Sequence, residues 1–143
     1  MNRVTWIAGG LLVGLAAVFA AGWFGGGSAE TTGGAGGAAA NVKVDQALAD
    51  QGESVASAQG CTACHSIDGS TSVGPTWSAS YGTEIEIDGG QTVKVDAAYL
   101  KESILDPAAQ VHAGFAASMS SYEGKVSDQD IAALVEYIKS LSG

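Results

Sequence analysis

The sequence predicts a mostly α-helical domain with a short β-hairpin insert, preceded by one transmembrane helix. Three observations predict it: an uncharged apolar run over residues 4–24, an alternating polar and apolar stretch on both sides of Asp88-Gly89-Gly90, and a capped apolar stripe of helical period near the C-terminal end. A chain of 143 residues has room for one modest domain plus an appendage, and none for a second catalytic domain.

Residues 4–24 carry no charge, and as a helix they would reach about 31 Å, enough to span the hydrocarbon core of a bilayer. Trp6 and the Trp23-Phe24 pair stand at the two ends, and Arg3 adds positive charge before the run, which orients the N-terminus to the cytoplasm. The same features also suit a cleaved signal peptide; either reading exports the remainder. Gly10 and Gly14 form a GxxxG pair that would let a partner helix approach, although a segment this rich in Gly and Ala produces such pairs by composition alone. Residues 25–40 lack large apolar side chains and read as a flexible linker with a reach of roughly 20 to 24 Å. The chain thus divides into an anchor at 1–24, a linker at 25–40 and a folded domain at 41–143.

Within the domain, residues 45–59 have a helix-compatible composition, with Leu48, Gly52, Val55 and Ala56 on one face. Residues 84–95 alternate about two glycines that tolerate a tight turn, the pattern of a hairpin. Asp96 can cap a short helix containing Tyr99, Leu100, Ile104 and Leu105, closed by Pro107. A final helix follows Ser127-x-x-Asp130, a capping-box spacing, and Ile131, Leu134, Val135, Ile138 and Leu141 draw its apolar stripe.

The charge balance excludes one class of function. Fourteen of the fifteen carboxylates and five of the six basic side chains lie beyond residue 40, leaving that part at −9, and nucleic-acid binders need basic stripes instead.

The chemistry is concentrated in Cys61-Thr62-Ala63-Cys64-His65. This is the haem-attachment pattern, in which two thiols add across two vinyl groups while the adjacent imidazole reaches the iron. A zinc site would need further ligands, yet the remaining Cys, His and Met side chains are His112, Met119 and Met1. A redox dithiol would want a βαβ context that this helical pattern lacks. One covalent haem c is therefore the expected cofactor. The candidate for the sixth iron position is Met119, the one internal methionine, in a Gly/Ala/Ser-rich stretch suited to a loop. Its alternative role is core filling, and His112 is the competing ligand.

With these residues in view, the segments GESVASAQGCTACHSIDGS, VGPTW, YGTEIEIDGGQTVKVDAAYLKESILDP, GFAASMSSY and DIAALVEYIKSL resemble a class I cytochrome c. The resemblance is greatest to the cytochrome c domain fused to subunit II of haem-copper oxidases, here without the copper-binding part. It implies the class I cytochrome c fold, metal ligation by His65 and Met119, and a Pro75 carbonyl that holds the other nitrogen of His65. It also implies that Gly52 lets the first helix cross the last near Tyr137. Related sequences place proline after the ligand methionine and at two positions before it, where this chain has Ser120, Ala116 and Ala117.

The function expected is a membrane-anchored monohaem electron carrier, not an enzyme. Its partners would be an electron-donor complex and an acceptor oxidase or reaction centre, with the membrane held through residues 4–24. Its location would be the cytoplasmic membrane, with the haem domain on the periplasmic side. Two rivals are a haem sensor or peroxidase-like protein with a labile sixth ligand, and a subunit built permanently into an electron-transfer complex.

Overall fold

The computed structural model describes residues 42–143. Their elements are helix α1 (Gln46–Ala58), a 3₁₀ turn over Cys61–Ala63, strands β1 (Glu84–Ile87) and β2 (Gln91–Lys94), helix α2 (Ala97–Leu105) and helix α3 (Asp128–Ser140). The mostly α domain with a hairpin insert expected from the sequence is present, and its helix ends have local causes. The Asp45 carboxylate accepts from Leu48 N–H, that of Asp96 accepts from Ala98 and Tyr99 N–H, and Ser127 with Asp130 closes a full capping box.

The expected transmembrane helix, and with it the location in the cytoplasmic membrane, are corrected. Among the described residues no helix is long and apolar enough to cross a membrane. The longest have 13 residues, against about 20 for a span, and their outer faces are polar and exposed. The run at 4–24 and the linker at 25–40 lie outside the described residues.

Helices α1 and α3 pack together and carry the core. On α1 the buried positions are Ala49, Gly52 and Ala56, while Leu48 and Val55 are half-buried. Small residues line the seam because the two backbones nearly touch at Gly52, and larger side chains fit on its flanks. From α3, Leu134 and Tyr137 meet Ala56, and Val135 and Ile138 meet Val95 and Leu100 on the other side. Each of the larger apolar side chains so buried contributes about 1.5 to 3 kcal/mol. Trp77 packs against both groups. At the start of α1, the Glu136 carboxylate accepts from Asp45 N–H at 2.9 Å, which fastens the helix pair at that end.

The hairpin pairs antiparallel with Glu84 opposite Lys94 and Ile87 opposite Gln91. The other edge of β1 is also used: Asp88 N–H donates to the Val111 carbonyl (2.8 Å) and Ala113 N–H to that of Glu86 (2.9 Å), bridging Ile87 to His112. The insert therefore holds the start of the segment that leads to Met119.

Candidate functional site

α1 ends directly on the cysteines. Gly60, with φ at 72°, turns the chain, and the 3₁₀ turn brings Cys64 N–H and His65 N–H onto the Cys61 carbonyl at 3.2 and 3.1 Å. Both thiols are free. Burial pushes the Cys61 thiol above its ordinary pKa.

The return loop is laced to this turn. Gly74 N–H donates to the Cys64 carbonyl at 2.8 Å, and the Ser66 carbonyl accepts from Trp77 N–H and the Thr76 hydroxyl. This register puts the Pro75 carbonyl 2.8 Å from Nδ1 of His65. A carbonyl can only accept, so Nδ1 carries the hydrogen and the neutral ring keeps its lone pair on Nε2. Burial depresses the His65 pKa and the Pro75 contact only partly offsets this, so the ring stays neutral and able to coordinate. Gly74 is needed for the approach: a Cβ there would lie 2.7 Å from Cε1 of His65. A second constraint is Trp77, stacked on the imidazole at 5.0 Å between centroids and 15° between planes, and itself edge-on to Tyr137 at 6.1 Å.

Met119 comes from the segment after the hairpin bridge and is 37% exposed. The segment is held at both ends. Its start is bridged to β1. Beyond Met119, Tyr122 N–H donates to the Ile104 carbonyl at 3.1 Å, and the Tyr122 hydroxyl reaches the Gln59 carbonyl at 3.2 Å, beside the cysteines. Between the anchors the backbone makes local turns at Phe115 and Ser118, and the Ser121 hydroxyl donates to the Leu105 carbonyl.

Cys61, Cys64, His65, Pro75 and Met119 all line one cavity of about 310 Å³, walled by apolar side chains such as Leu100, Ile104, Leu134 and Ile138. The structure brings the five sequence-named residues together, and it places His112 in the same lining. Two contributors were not singled out from the sequence: Trp77, which sets the His65 ring plane, and Tyr122, which ties the Met119 segment to the cysteine end. Trp77 lay within a recognised segment, but nothing in its local spacing marks a stacking role. The donor set fits a haem. Two unpaired thiols stand beside a neutral imidazole with a free Nε2, and the cavity's aromatic and aliphatic lining includes a thioether.

A family model described as Cytochrome c matches residues 49–142, well over half of the chain. No curated protein is similar enough to the chain to count as a match.

Proposed function

Since this chain belongs to the cytochrome c family, we propose that Cys61 and Cys64 would hold its haem c, that His65 and Met119 would be the side chains bound to its iron, and that single electrons pass from a donor complex to an acceptor oxidase or reaction centre. Family membership makes the protein a c-type haem electron carrier. The haem supplies one-electron chemistry, its iron alternating between Fe(III) and Fe(II).

The observation that carries the residue assignment is the 2.8 Å contact between His65 Nδ1 and the Pro75 carbonyl at the wall of a cavity that also contains both thiols. Pro75 orients the imidazole and raises its basicity as a ligand, in the manner of partners behind metal-bound histidines. Trp77, stacked on the ring, restricts its rotation. The largely apolar walls lower the local dielectric, so burial and ligand identity tune the potential of an iron held there. The oxidase as acceptor is supported by the sequence resemblance to domains fused to oxidase subunit II.

The test is the double substitution Cys61→Ala/Cys64→Ala. The chain has no other thiol, so haem stain on a denaturing gel should vanish; retained stain would refute the attachment site. The exposure of Met119 supports a second reading, a sensor or peroxidase-like protein with a labile sixth ligand. Rapid stoichiometric carbon monoxide binding by the reduced protein at neutral pH would favour it over the electron carrier held by Met119.

A further inference from the structure

The cavity has an unusual charge inventory. Among the described residues, no Asp, Glu, Lys or Arg lines it; the lining groups able to become cationic are His65 and His112. His65 is engaged by Pro75. His112 is not engaged: its ring lies edge-on to Phe115, 5.2 Å between centroids at 60°, and its nitrogens have no hydrogen-bonding or charged partner among the described residues. Its backbone is pinned to β1 by the two hydrogen bonds that flank it, Asp88 N–H to Val111 and Ala113 N–H to Glu86.

Haem brings two carboxylates into whatever cavity receives it, and here neither lysine nor arginine waits for them. A carboxylate drawn out of water is costly unless it is paired or hydrogen-bonded; the lining offers neutral donors such as Ser80, Tyr99 and Gln110, and the His112 imidazole is the unengaged lining group that can add a positive charge. We propose that His112 is the cation-forming partner of a haem carboxylate in this cavity, and that it takes up a proton each time an electron arrives at the iron. This rests on the reading that haem c lies between His65 and Met119.

The balance is simple. One electron from the donor lowers the charge of the site by one, and one proton from solvent binds a His112 nitrogen; on oxidation the electron leaves to the acceptor and the proton to solvent. The sign follows from electrostatics. A neighbouring carboxylate favours the imidazolium, while the extra positive charge of Fe(III) disfavours it, so the His112 pKa is higher in the reduced protein. By linkage, protonation of His112 raises the potential. Without the carboxylate, burial alone holds His112 below its ordinary value. The other titratable groups around it do not supply a positive charge. On β1 this is Glu86 and in the turn after it Asp88, both exposed; on α2 they are Tyr99 and Glu102, the latter taken by the Gln110 side chain; beyond the segment is Tyr122.

The test uses the holoprotein. In the wild type, the His112 imidazole resonances are titrated in both oxidation states, and the midpoint potential is followed from about pH 5 to 8. The expected result is a higher His112 pKa in the reduced state and a potential that falls as pH rises between the two values. His112→Gln should remove that slope, and His112→Lys should also flatten it while raising the potential at the alkaline end. An imidazole pKa independent of oxidation state, or an unchanged slope in His112→Gln, would overturn the proposal. Covalent haem stain and the sulfur-to-iron charge-transfer band are recorded on the same samples. Their absence from the wild type overturns the haem site and this proposal together, whereas their presence with a redox-blind His112 overturns this proposal alone.

Discussion

Gly52 and Ala133 meet backbone to backbone: a Cβ on Gly52 would lie 2.0 Å from the Ala133 carbonyl oxygen and 2.8 Å from Cβ of Tyr137. The contact lets α1 and α3 close on each other, and Tyr137 passes the constraint to Trp77 and so to His65. Gly52→Ala would gain about 1 kcal/mol of helix propensity, but neither backbone can yield without parting the helices. A net loss of about 2 kcal/mol or more is expected, read by denaturant unfolding of the holoprotein. An unchanged midpoint would mean that the crossing is looser than described.

Gly74→Ala should act on the haem ligand rather than on attachment. The new Cβ would crowd the His65 ring, 2.7 Å from Cε1 and 2.9 Å from Nδ1, forcing it off the Pro75 carbonyl. Haem stain should persist because both thiols remain, while the absorption spectrum gains high-spin character. A wild-type spectrum from this variant would show that the ring tolerates the crowding.

Met119→His should keep the iron six-coordinate and lower the potential by on the order of 0.1 V or more, within the ~0.8 V range that axial ligands span, because imidazole favours the oxidised metal over a thioether. The sulfur-to-iron charge-transfer band should disappear with the substitution. If potential and band are both unchanged, Met119 is not a ligand.

The capping box at α3 gives a pH-dependent contribution. The hydroxyl and N–H of Ser127 donate to Asp130 at 2.7 and 3.1 Å, holding that carboxyl below its usual range. A depressed carboxylate stabilises the fold above its ordinary value, about 3.9, and the contribution is lost as pH falls through the lower folded value. Asp130→Asn should flatten the acid limb of melting temperature against pH. Ser127→Ala should cost about 1 kcal/mol at neutral pH, and a wild-type melting temperature in that variant would count against the cap.

What the sequence determined by itself was whatever depends on neighbours in the chain. The helix starts at Asp45, Asp96 and Ser127 were legible because a cap is a contact over two or three residues. The hairpin was legible because alternation and a Gly-Gly turn are local, and the haem attachment because two thiols and an imidazole must sit within five positions. Only the tertiary structure decided how those pieces serve the site. The registry that lays Pro75 on His65, the stacking of Trp77, the near contact of Gly52 with Ala133 and the bridge from Ile87 to His112 join residues 10 to 81 positions apart. Such contacts leave no periodicity or motif, because they depend on where whole helices and loops pack. For the same reason, of the face named from the sequence, Gly52 and Ala56 are buried while Leu48 and Val55 are only half-buried, and Ala49 joins the buried set: hydrophobicity names the face, but the closeness of the partner helix selects the small side chains within it.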